Sequence, residues 1–104
     1  MSFRRAAKVD SNHQEIVKAF KKLGWSVFNV SQLKNCCDLV VAKDLWTVCI
    51  EVKDGDKPQS SRRLSEGEKK FRDEWNGSWM LVQSVEDVEL LDKTRKNLSM
   101  IDTL

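Results

Sequence analysis

The chain reads as one α/β domain, a mixed four-stranded sheet flanked by helices in the order αβββαβα. Three observations predict it. Ile16, Val17, Ala19, Phe20 and Leu23 recur at helical spacing, with Lys18, Lys21 and Lys22 on the other side. Leu39-Val40-Val41 and the β-branched run Trp46 to Val52 flank Lys43-Asp44-Leu45 and read as a hairpin. A capped helical segment from Ser65 to Trp75 then precedes a fourth apolar run, and a strand–helix–strand connection permits parallel pairing.

The elements follow in order. Asp10-Ser11-Asn12 offers caps for the first helix, with Gln14 and Glu15 placed for a capping box, and Gly24 closes it. His13 reads as a surface residue of that helix. Trp25 to Val30 alternates as a first strand, and Ser31 to Cys36 forms a loop in which Gln32 and Lys34 face either substrate or only solvent. Ser65-Glu66-Gly67-Glu68 is a capping box. Behind it Phe71 and Trp75 mark a buried side, and Lys69, Lys70 and Arg72 a basic one. Trp75 serves core packing on one reading and stacks on a base on the other. The unbroken apolar run Trp79 to Gln83 predicts a buried central strand. Ser84 to Asp87 caps a last helix that turns Val85, Val88 and Leu91 to one side. Residues 1–9 form a basic arm with Arg4, Arg5 and Lys8, residues 10–96 the domain, and residues 97–104 a tail. Leu98, Met100, Ile101 and Leu104 make that tail apolar enough to dock or to meet a partner.

Bulk composition excludes several classes. With 104 residues, 40% hydrophobic and 33% charged, one soluble domain with a modest core is expected. A net charge of +2 does not by itself argue for nucleic acid, so any basic surface must be local. No apolar run reaches membrane-spanning length, and MSFRRAAKVD lacks a signal-peptide core. Three cysteines (Cys36, Cys37 and Cys49) without a secretion signal point to reduced thiols and a cytoplasmic location. One histidine and no CxxC pair argue against zinc.

The chemistry concentrates in Cys37 to Lys53. If Asp44-Leu45 is the hairpin loop, Lys43 faces Trp46, and counting back sets Asp38 opposite Glu51. Opposed residues have Cβ atoms about 4.5–5.5 Å apart. Lys53 shares the Glu51 face, and Leu39, Val41, Trp46, Val48, Ile50 and Val52 form the core face. Two close carboxylates suit a hard divalent cation, and a lysine beside them suits a phosphate oxygen or a water. That chemistry is metal-assisted phosphodiester hydrolysis. The plainer reading is a solvent-face acid pair with Lys53 as counter-charge. The loop from Asp54 to Arg63 is locally basic through Lys57, Arg62 and Arg63, which suits backbone phosphates or marks a solvated connector.

At these residues the sequence resembles the PD-(D/E)XK nuclease superfamily, through Asp38 and Glu51-Val52-Lys53. A wider ordered set resembles its small stand-alone VRR-NUC-like (virus-type replication-repair) members of phages and bacteria. It comprises Asn12 to Val17, Leu23-Gly24, Cys37 to Val41, Glu51 to Gly55, Lys57-Pro58, Ser61, Leu64-Ser65, Phe71, Trp75 and Gly77. The similarity runs from about Asp10 to Leu91. Where the family has Gly then Pro-Asp, this chain has Asn35-Cys36-Cys37-Asp38.

The resemblance implies a restriction-endonuclease-like core and a DNA endonuclease dependent on Mg²⁺ or Mn²⁺. It implies Asp38, Glu51 and the Val52 carbonyl as metal ligands and Lys53 as the catalytic lysine. It also implies Glu15 as an added acid from the first helix, which otherwise serves only the helix N-terminus. Lys57, Arg62, Arg63, Lys69 and Lys70 would hold the DNA backbone. Related proteins look like homodimers acting on branched DNA such as four-way (Holliday) junctions in replication, recombination or repair. The rival expectation is a non-catalytic module that keeps the fold and binds nucleic acid or a repair protein.

Overall fold

The structure, a computed structural model, describes residues 11–102, with side chains through residue 96. The basic arm expected at residues 1–9 lies outside them. The elements are α1 (His13–Lys22), β1 (Ser26–Asn29), β2 (Leu39–Lys43), β3 (Trp46–Val52), a 3₁₀ turn at Gln59–Arg62, α2 (Glu66–Glu74), β4 (Ser78–Val82) and α3 (Val85–Asp102). This is the αβββαβα order. The sheet runs β1-β2-β3-β4, with β1/β2 and β2/β3 antiparallel and β3/β4 parallel. It is an open mixed sheet.

The hairpin keeps the expected register. Lys43 pairs Trp46, and the ladder runs back to Leu39 opposite Ile50. Its two-residue turn has positive φ at both positions, 52° at Asp44 and 70° at Leu45. That is the hand of turn that matches strand twist. Leu45 is fully exposed there, in a conformation that favours glycine.

One sheet face is dry. Leu39, Val41, Val48, Ile50 and Val52 pack with Ile16 and Phe20 of α1 and with Val88 and Leu91 of α3. The end of α1 sets its angle onto this layer. Gly24 takes φ +90°, its N–H and that of Trp25 bond back to Lys21 and Phe20, and the Phe20 and Trp25 rings meet edge-on at 5.6 Å. This is a Schellman stop with its hydrophobic contact.

A buried charge network ties α3 to the hairpin. Asp92 accepts the Trp25 indole N–H at 3.0 Å and pairs with Lys43 at 3.2 Å and Arg95 at 3.5 Å. Arg95 also pairs with Asp44, and Lys43 donates to the Leu23 carbonyl. Burial alone would raise the Asp92 carboxyl. The indole, Lys43 and Arg95 outweigh it and hold it below the ordinary aspartate range.

Four expectations change. The run at Trp79 is an edge strand, because β4 pairs only with β3, and only Val82 of it is buried. The strand closed on both faces is β3, where every residue from Val48 to Val52 is buried. Asn12 makes no side-chain cap to α1 and instead donates to the carbonyls of Lys53 and Gln83, each at 3.2 Å. Tertiary anchoring of α1 takes the place of capping. His13 is buried, its Nε2 3.3 Å from Asn29 Nδ2, because the first turn of α1 lies over the end of β1. The expected tail from residue 97 continues α3 as helix to Asp102.

Leu45→Gly should raise stability by about 0.5–1 kcal/mol, the cost of a side chain held at positive φ, read as a higher thermal midpoint. Asp92→Ala should cost about 3 kcal/mol at pH 7 by stranding Lys43 and Arg95. A carboxyl lowered on folding stabilises above its unfolded pKa and loses that contribution as pH falls through its folded value. Urea midpoints of wild type and variant should therefore converge below about pH 4.

Candidate active site

The site lies where the β2/β3 ladder ends. Past the Leu39–Ile50 pair, the Asp38 N–H donates to the Ile50 carbonyl at 2.9 Å, and the Asp38 carbonyl accepts from Val30 at 2.9 Å. The Asp38 side chain then takes the ladder's place, its Oδ2 accepting the Val52 N–H at 2.8 Å. Asp38 and Glu51 are thus neighbours without being a ladder pair, close enough for the Asp38 charge to act on the Glu51 carboxyl. The N–H and C=O of one strand residue point to the same edge. The Val52 carbonyl therefore faces the Asp38 side.

Cys37 stands directly before Asp38. Its buried thiol donates to the Leu39 carbonyl at 3.3 Å, which holds the backbone on the approach to Asp38. Burial and the neighbouring thiols of Cys49 and Cys36 push the Cys37 thiol far up, and burial raises Cys49. Cys37 and Cys49 are protonated packing residues at neutral pH.

Glu51 is 3% exposed. Burial, then the Asp38 charge and hydrogen bonding with Asp38 and Glu68, raise its pKa far above the carboxylate range. It holds a proton when no cation is beside it. Lys53, two residues on, pairs with Glu68 at 3.0 Å. The same Glu68 oxygen accepts the Ser65 N–H at 2.8 Å, and Ser65 Oγ accepts the Glu68 N–H at 3.2 Å. Burial works against ionised Glu68, but the Ser65 N–H, Glu51 and Lys53 overcome it and lower its pKa.

Glu68 is the residue that sequence reasoning missed as a site member. Its signal was there as the last residue of a capping box. One carboxylate caps the helix and holds the lysine. It is placed by a close approach: a Cβ on Gly67 would lie 2.2 Å from Asn35 Oδ1, so glycine there lets the Asn35 side chain rest against the start of α2.

Other expected residues are not brought to this centre. Glu15 is exposed and lines a separate polar cleft with Asp54, Arg62 and Glu86, because its turn of α1 faces the start of α3. The carboxylate in contact with Lys53 is Glu68, from α2. Arg62 is half-buried and donates to Gln83 Oε1 at 2.9 Å in that same cleft. Lys57 and Arg63 are exposed on the loop after the site. Lys69 pairs with Glu66 at 3.5 Å, and Lys70 is exposed on α2. Phe71 and Trp75 are not core: α2 buries no residue, and Trp75 is 42% exposed.

Among the described residues, no three or more His, Cys, Asp or Glu side chains are arranged to hold a metal ion, and no helix is long and apolar enough to cross a membrane. Compared with known proteins, the chain matches no family model, no curated relative and no solved structure.

Glu51→Gln should stabilise the metal-free protein. A carboxyl raised on folding favours the fold fully below its unfolded pKa, and that contribution declines as pH rises toward the folded value. At pH 8 the variant should be more stable by roughly 1–3 kcal/mol, and at pH 4 nearly equal to wild type. Thermal melts in EDTA at the two pH values check this.

Proposed function

We propose that the protein is a metal-dependent DNA endonuclease built on the PD-(D/E)XK core. One observation carries the reading: a carboxyl group buried at the end of the central strand, beside a second carboxylate and within two residues of a lysine. A buried acid pair stabilises nothing by itself, since each group raises the cost of ionising the other. Sites that pair titratable groups in this way are candidates for chemistry. The strand order and the mixed pairing support the same reading.

The donor set fits a hard cation. Asp38, Glu51 and the Val52 carbonyl are oxygen donors of the kind such a cation takes, and a cation would take the place of a proton on Glu51. When bound, Mg²⁺ or Mn²⁺ supplies Lewis acidity to a phosphodiester and makes water a stronger nucleophile at neutral pH. Lys53 would hold a phosphate oxygen, with Glu68 keeping its ammonium beside the acids. Lys57, Arg63 and Lys70 are exposed and suit contacts to phosphate. None of these groups reads base edges, so selection by DNA shape, branched or four-way, fits better than a sequence code. A two-fold dimer would suit paired cuts in such a substrate.

The Lys53–Glu68 pair favours a second reading, a binding module in which the lysine is structural. A single experiment separates the two. Wild type and Asp38→Ala are incubated with labelled duplex, single-stranded, flap and four-way-junction DNA, with Mg²⁺, Mn²⁺ or EDTA. The nuclease reading expects cleavage only with metal and at least about 100-fold less in the variant. Binding that weakens smoothly with salt, with no cleavage in either metal, selects the module.

A further inference from the structure

We propose that Phe71 and Trp75 form a platform on which an unpaired nucleobase stacks, beside the phosphodiester to be cut. This rests on the nuclease reading and adds to it the class of substrate: a strand with at least one unpaired base next to the cleavage point. The two rings lie 5.4 Å apart and only 19° from parallel. The indole is held in place, since its N–H donates to the Ser78 carbonyl at 3.1 Å. Gly77 lies so close that a Cβ there would be 2.7 Å from Nε1. A large aromatic that is held this firmly and left 42% exposed is prepared to cover another flat surface.

The rings open onto a cleft of about 490 Å³ whose far wall is Asn35 and Gly67, the pair that seats α2 beside Asp38. That volume falls in the range of small-ligand sites. Phe71 and Trp75 follow Glu68 by three and seven residues, so they share its side of the helix. At 1.5 Å per residue the Cα atoms of Phe71 and Trp75 lie about 4.5 and 10.5 Å along the axis from that of Glu68, whose carboxylate holds Lys53. A nucleotide or two of one strand bridges that gap.

The charges around the cleft select the base over the phosphate. Glu66 and Glu74 line it and repel phosphate, whereas stacking on an aromatic needs no charge. Lys70, in the same lining, is the exposed cation that meets the strand's own phosphate.

The test uses the full chain and fluorescently labelled oligodeoxythymidine. A second strand of equal length carries abasic sites, so that base and phosphate binding separate. Anisotropy titrations in EDTA compare wild type with Trp75→Leu and Phe71→Leu. Leu90→Ser, an exposed residue of α3 on the other side of the sheet, is the control. Thermal melts verify folding of each variant. The platform expects wild type to prefer the thymidine strand, and Trp75→Leu to bind it at least about five-fold more weakly, the low end of losing one stacked base. It also expects Trp75→Leu to bind the abasic strand as wild type does. Equal thymidine-strand affinity in wild type and both ring variants, each folded, overturns the platform. A separate arm with Mg²⁺ reads cleavage. If wild type cuts no DNA yet the EDTA pattern holds, the nuclease reading falls and the platform stands. If wild type cuts and the pattern fails, the reverse follows.

Discussion

Glu51 is an acid in a position that apolar residues occupy elsewhere in the sheet. β3 is closed on both faces from Val48 to Val52, by the α1–α3 layer on one side and by the Cys37–Cys49 region and α2 on the other. A carboxyl in such a place must be neutral or paired. Each nearby feature answers that demand. Asp38 lies close enough to disfavour its charge, Lys53 follows two residues on, and Glu68 brings a charge that the Ser65 N–H and Lys53 compensate.

The same constraint explains the local backbone. The ladder stops one residue short of Asp38 because its carboxylate, and not its main chain, satisfies Val52. The thiol of Cys37 holds the approach, and Gly67 allows Asn35 to seat α2. The two ends of the hairpin therefore differ in kind. Its turn is a structural anchor, with Asp44 and Lys43 tied into the Asp92–Arg95 network. Its open end is polar, close-packed and built around side chains.

The two helix layers divide labour in the same way. α1 and α3 supply the apolar cover on which stability rests. No residue of α2 is itself buried; the helix reaches the site through the Glu68–Lys53 pair and meets the loop before Asp38 at Gly67. It carries a polar group to the site and, further along the same side, two stacked rings that stay partly exposed. A helix placed this way contributes little hydrophobic stabilisation, which suits a segment that meets another molecule.

Sequence alone determined the order of elements, the hairpin register, the Schellman stop at Gly24, the capping box at Ser65 and the core face of β2 and β3. Those features rest on local chemistry: period, turn length, φ preference and side chains a turn apart. It also determined that Asp38, Glu51 and Lys53 share one end of the hairpin, because register follows from loop length. Tertiary structure decided what depends on distant segments. Glu68 joined the site, and Glu15 came to line a polar cleft with Asp54, according to where α1 and α2 rest on the sheet. Asn12 gave its amide to the carbonyls just past β3 and β4, His13 was covered beside β1, and among the described residues β4 lies at an edge of the sheet. Burial of Trp75 could not be read from its spacing, since periodicity marks the apolar side of a helix but not whether anything is packed against it.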